Sequence, residues 1–105
     1  MRKIENIPEF VEKLVKKEYP NVQNGCVMVY QLGKEHMLIE VFDENDNKAG
    51  EIIINLKTDK IYKDGKGYSI KIEGTPKGMI RYFLEEGGKK LDGKAESLYP
   101  CLPIS

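Results

Sequence analysis

The stretch Ala49–Tyr62, AGEIIINLKTDKIY, decides the fold that we predict for this chain. Four of the six residues in Glu51–Leu56 are aliphatic, and three of them are consecutive isoleucines. A short run that is apolar on both faces is typical of a strand inside a sheet rather than at its edge. The polar residues 57–60 have the composition of a turn, and Ile61-Tyr62 then predicts a short returning strand. We therefore expect the rest of the chain to pair with this strand or to pack on it.

The composition predicts a single domain over residues 1–105, which is long enough to fold without a disulfide or a metal ion. Lysine plus arginine and aspartate plus glutamate both number 17, so the net charge is zero. A neutral chain lacks the positive field that nucleic-acid or anionic-membrane binding needs. Cys26 and Cys101 are far apart in sequence and fit a reducing compartment. With no signal-like start and no membrane-length apolar run, we expect a cytoplasmic protein that binds no membrane.

An N-terminal helix is predicted over residues 7–19, because apolar residues recur there at helical spacing. Asn6 is a candidate cap, and Tyr19-Pro20 ends the helix because a residue before proline avoids helical geometry. Short strands separated by polar turns follow over residues 26–73. The predicted strands are Cys26–Leu32, Met37–Phe42, Glu51–Leu56, a short one at Ile61-Tyr62, and Tyr68–Glu73.

A second helix is predicted over residues 76–86. Thr75-Pro76 has the chemistry of a helix start, and Gly87-Gly88 that of a helix stop. The apolar stripe of this helix is predicted to be Met79, Ile80, Phe83 and Leu84. Residues 89–105 are predicted to form an irregular apolar tail, because Pro100 and Pro103 favour an extended path.

Together these elements predict an α+β fold. A three- to five-stranded antiparallel meander carries both helices on the same face, since short connections make neighbouring strands antiparallel. We expect Ile53 or Ile54, or both, to lie in the core beside Phe10, Leu14 and Phe83. The tail is expected to dock on its own sheet or on a second copy, and the sequence does not choose between them.

No catalytic set is recognisable, so we expect a protein that is not an enzyme and that uses no cofactor. His36 is the single histidine and has no assignable nucleophile near it. The histidine and cysteines do not match a zinc site, and the acidic turn Asp43–Asn47 lacks the glycine and the glutamate of a calcium loop. An enzyme that relies on carboxylates and tyrosines remains one alternative.

A basic hairpin offers a second alternative, single-stranded nucleic-acid binding, because lysines interleaved with an aromatic residue can grip phosphates and stack on bases. Asp59 and Asp64 dilute its charge, so nucleic acid is the less favoured partner. Its residues are Lys57, Lys60, Tyr62, Lys63 and Lys66.

Residues 10–62 resemble a PepSY-type domain in a helix ending at Tyr19-Pro20, in paired strands, and in the closing hairpin Gly50–Tyr62. Asp59 stands where glycine is usual in that hairpin. The element order, with Glu73-Gly74-Thr75 leading into a last helix, is similar to that of some small bacterial immunity proteins. Both resemblances imply a non-catalytic protein that regulates or inhibits a partner protein.

The sequence therefore favours an interaction module that binds another protein, or a second copy of itself, through a sheet edge or the apolar tail. The alternating strand Tyr68–Glu73 suits a sheet edge or a solvated sheet face, because lysine and glutamate occupy its outer side. The candidate partner-binding residues are Tyr68, Ile70, Ile72, Leu98, Tyr99, Leu102 and Ile104.

Overall fold

A computed structural model describes residues 2–104, and these form one α-helix followed by seven β-strands. All strand pairs in this part of the chain are antiparallel, and the strand order is β4-β3-β2-β1-β7-β6-β5. The sheet curls into a half-barrel. The elements are α1 (Ile7–Glu18), β1 (Cys26–Leu32), β2 (His36–Phe42), β3 (Lys48–Asn55), β4 (Ile61–Lys63), β5 (Tyr68–Gly74), β6 (Ile80–Glu86) and β7 (Lys89–Pro103).

The helix α1 lies where the apolar spacing predicts it. The Glu9 N–H donates to Asn6 Oδ1 over 3.1 Å, which caps the first turn. Val11 and Val15 are fully buried one turn apart, so the helix packs one face against the sheet. The helix ends before Tyr19-Pro20, as the restriction on residues that precede proline requires.

The isoleucine run explains why β3 is buried on both faces of the sheet. Ile52 and Ile54 face α1, whereas Ile53 faces the concave side of the half-barrel, and all three are fully buried. Phe10 and Leu14 pack on the cluster that contains Ile54, as expected. The strand has neighbours on both sides, although the middle position of the sheet belongs to β1.

The predicted second helix is wrong, because residues 76–86 form a loop and strand β6. Ile80, Tyr82 and Leu84 alternate along this strand and face the concave core, whereas Phe83 points outward and is 39% exposed. Phe83 is therefore not the core residue that we expected. Gly87 and Gly88 both have positive φ, +57° and +81°, and form a two-residue hairpin turn rather than a helix stop.

The predicted irregular tail is also wrong. Residues 89–103 form β7, the longest strand, which pairs with β6 along its first half and with β1 along its second half. The three- to five-stranded meander with two helices on one face is thus replaced by a seven-stranded curled sheet with one helix in residues 2–104. The order that resembled immunity proteins loses its last helix.

Candidate functional site

The strand β5 forms one edge of the sheet. It pairs with β6 on one side, and at the far edge of the sheet lies the short strand β4. Ser69, Lys71 and Glu73 are exposed on its outer face, and Ile70 and Ile72 are half-buried on its concave face. The alternation predicted for Tyr68–Glu73 is therefore present, and the strand lies at an edge.

The backbone geometry of the β5–β6 hairpin determines which groups of β5 point outward. The Thr75 N–H donates to the Met79 carbonyl over 2.7 Å, so these two residues form a hydrogen-bonded pair. Such pairs alternate with non-hydrogen-bonded pairs along an antiparallel ladder. It follows that Ile70, Ile72 and Gly74 direct their N–H and C=O groups away from β6 and toward the open side of the sheet.

The start of this edge is closed by side chains that tie it to β3. The Tyr68 hydroxyl donates to Glu51 Oε2 over 2.7 Å, and the other Glu51 oxygen accepts from Lys48 Nζ over 2.6 Å. Burial, followed by the hydrogen bond to Glu51, raises the pKa of Tyr68. Lys48 also donates to Glu40, which lies directly opposite Glu51 on β2. Both Glu51 oxygens are occupied within the protein, so this group of carboxylates and a tyrosine serves to hold β5.

Hydrogen bonds to Asp64 hold the turn that precedes β5 against α1 and β3. Asp64 Oδ1 accepts from the Tyr19 hydroxyl over 2.6 Å and from the Glu51 N–H over 3.0 Å. Burial raises the pKa of Asp64, but the hydrogen bonds from Tyr19 and from the Glu51 backbone outweigh it and lower the pKa below its ordinary value. The edge is therefore anchored at Tyr68 and open from Ile70 to Gly74.

The tail residues predicted to bind a partner lie in or against the protein's own core. Leu98, Tyr99 and Leu102 are half-buried and pack against the cluster beneath α1, and Ile104 is buried with 3% exposure. The Ile104 N–H donates to the Gly25 carbonyl over 3.0 Å. The structure thus leaves β5, and not the C-terminal segment, as the exposed part of the predicted binding surface.

The predicted basic hairpin does not gather its residues on one face. Lys57, Lys60 and Lys66 are exposed in turns, whereas Lys63 donates to the Glu18 carbonyl over 2.8 Å and lies 4.5 Å from the centre of the Tyr19 ring. Tyr62 turns to the concave side, where its ring meets that of Tyr68 edge to face. Its ring is therefore not available beside the lysines for base stacking.

A buried polar cluster at the last residue of β6, Glu86, which lies opposite Tyr68, has no counterpart in our sequence predictions. His36 is 2% exposed, and its Nε2 lies 2.8 Å from Glu86 Oε1. Asn55 Nδ2 donates to both Glu86 oxygens over 3.1 Å, and the Tyr62 hydroxyl also approaches Glu86. The cluster joins the end of β6 to β2 and β3. The sequence does carry one signal for it: if residues 80–86 are a strand, Glu86 falls on the same inward side as Leu84. The prediction of a helix for these residues hid this signal.

The electrostatics of this cluster follow from its hydrogen bonds. Burial raises the pKa of Glu86, but the hydrogen bonds from His36, Asn55 and Tyr62 together outweigh it and lower the pKa below its ordinary value. The histidine is shielded from solvent and held by a carboxylate. The arrangement therefore stabilises the curled sheet and gives no substrate access to His36.

Within residues 2–104, no three histidine, cysteine, aspartate or glutamate side chains come together in a way that would hold a metal ion. The helix in this same part of the chain is too short and too polar to cross a membrane. Comparison with known protein families, curated proteins and solved structures gives no match. The PepSY resemblance of residues 10–62 therefore stays a prediction.

Proposed function

We propose that this protein is a non-enzymatic interaction module that binds an extended segment of a protein at the open edge of β5. The observation that carries the proposal is the outward direction of the backbone groups of Ile70, Ile72 and Gly74 at a strand that has no neighbour on that side among residues 2–104. An extended segment can add to such an edge as a further strand, because its main chain supplies the matching donors and acceptors.

Two features of the side chains support this role. The half-buried Ile70 and Ile72 line the concave side of the edge, so an added strand gains apolar contact there as well as backbone hydrogen bonds. The anchoring of Tyr68 to Glu51 holds the strand in place before a partner arrives, which lowers the ordering cost of binding. A cytoplasmic location is part of the proposal.

The test compares two substitutions at Gly74, a residue at which an added Cβ has no neighbour within 4 Å. Gly74→Pro removes the outward N–H and places a ring at the edge, whereas Gly74→Ala keeps the N–H and serves as the matched control. Affinity capture from the source cell should retain a partner with the wild type and with Gly74→Ala, and lose it with Gly74→Pro. Thermal melts should show that both variants remain folded. A partner retained equally by folded Gly74→Pro would contradict the proposal.

A further inference from the structure

We infer that the segment that occupies the β5 edge is β5 of a second copy of this chain, paired antiparallel about a twofold axis at Ile72. This inference rests on the proposed binding role of the β5 edge and names its partner. The edge is self-complementary in its backbone, because an antiparallel pair of identical strands places the same outward groups opposite each other. The side chains determine which register the two strands adopt.

The outward residues of one copy must face the outward residues of the other. Any residue of the strand meets this condition as the position of a twofold axis, and the axes that use the open part of the edge lie at Ile70, Lys71, Ile72 and Glu73. An axis at Ile70 places Ile72 opposite Tyr68 of the second copy. Tyr68 lies at the start of β5, where Glu51 and the preceding turn cover the edge. An axis at Ile72 uses only the open part of the edge, from Ile70 to Gly74.

The charges on the exposed face also favour the axis at Ile72. An axis at Lys71 places the two Lys71 side chains directly opposite each other, and an axis at Glu73 does the same with the two Glu73 side chains. Like charges in that position destabilise a strand pair. An axis at Ile72 instead places Lys71 of each copy opposite Glu73 of the other. Within one chain Lys71 Nζ already lies 3.8 Å from Glu73 Oε2, so the dimer would carry four charges of alternating sign around the axis.

The concave face fits this register too. Ile72 of one copy meets Ile72 of the other, and Ile70 meets Gly74, which leaves room for the larger side chain. The chain has equal numbers of basic and acidic residues, so no net repulsion opposes the approach of two copies. Because a short edge buries less surface than a permanent dimer needs, we expect a weak dimer that dissociates on dilution.

The test is analytical ultracentrifugation of the full chain over a wide concentration range. The wild type should form a dimer as its concentration rises. Lys71→Glu and Glu73→Lys each place like charges opposite each other twice, so each should weaken dimerisation by about tenfold or more. The double variant, which exchanges the two charges, should restore it. Gly74→Pro should abolish the dimer and Gly74→Ala should keep it.

Lys94→Glu is the control for net charge, because it makes the same charge change as Lys71→Glu on an exposed residue of β7, away from the edge. It should leave the dimer unchanged. A wild type that stays monomeric at the highest concentration would overturn the inference, as would a dimer that the single charge variants do not weaken. If either result occurs while Gly74→Pro still loses a captured partner, the proposed function stands and only the identity of the partner is wrong. If either result occurs and no captured partner depends on Gly74, both the inference and the proposed function are wrong.

Discussion

Truncation of Glu86 to alanine is the substitution from which we expect the largest loss of stability among the polar residues described above. The carboxylate accepts from His36 Nε2 at 2.8 Å and twice from Asn55 Nδ2 at 3.1 Å. Removing it leaves the two buried donors unpaired, at about 1–3 kcal/mol each. We therefore expect Glu86→Ala to lower the free energy of unfolding by about 2–6 kcal/mol, since both donors lose their partner.

The assay is urea unfolding of Glu86→Ala beside Glu85→Ala, which removes the same side chain from the exposed face of the same strand. The control should change stability by less than about 0.5 kcal/mol. Because the pKa of Glu86 is lower in the folded protein, its carboxylate stabilises the fold at pH values above its unfolded pKa of about 4.3. This stabilisation is lost as the pH falls through the folded pKa. The difference in the free energy of unfolding between wild type and Glu86→Ala should therefore become smaller in acid. Equal losses for the two variants at neutral pH would refute this account of the cluster.

Three further predictions follow from the fold. Ile53→Ala and Ile54→Ala should each lower the free energy of unfolding by about 2–5 kcal/mol in urea titrations, because each opens a cavity in a different face of the core. Deleting residues 95–105 removes the part of β7 that pairs with β1, so thermal unfolding followed by circular dichroism should lose its cooperative transition. A cooperative melt would contradict the role of β7 in joining β1 to β6. Iodoacetamide should modify exposed Cys101 before Cys26, as followed by peptide mass mapping, because interaction with the Cys101 thiol and burial raise the pKa of Cys26 to about 11.

The first half of the chain was predictable because its local signals agree with its packing. The capped helix, the strand Cys26–Leu32 and the isoleucine run all occur where the sequence places them. A run that is apolar at consecutive positions requires burial on both faces of a strand. The sheet meets this requirement with α1 on one face and the curled β5–β7 segment on the other.

The second half was mispredicted because residues 79–84 satisfy two periodicities. Met79, Ile80, Phe83 and Leu84 match a helix, and Ile80, Tyr82 and Leu84 match a strand. Gly87-Gly88 resolves the ambiguity, since two adjacent glycines are a strong signal for a tight hairpin turn. With β6 recognised as a strand, the residues that follow Gly87-Gly88 read as its partner strand, which then continues along β1, rather than as a tail.

The binding edge was only partly predictable. Alternation in Tyr68–Glu73 predicts one wet face, but which strand lies at an edge depends on pairings between distant segments. The Glu86 cluster was not predictable, since it joins residues that are 31 and 50 positions apart in sequence. Such contacts appear only when the topology is known.

Amide hydrogen exchange along β5 tests the central claim most directly. In dilute protein, the amides of Lys71 and Glu73 should exchange slowly because they donate to β6, and those of Ile70 and Ile72 should exchange quickly because they face the open edge. Binding at the edge should slow the exchange of Ile70 and Ile72 and leave Lys71 unchanged. Slow exchange of all four amides in dilute monomer would contradict the account, since the edge would then be covered within the molecule itself.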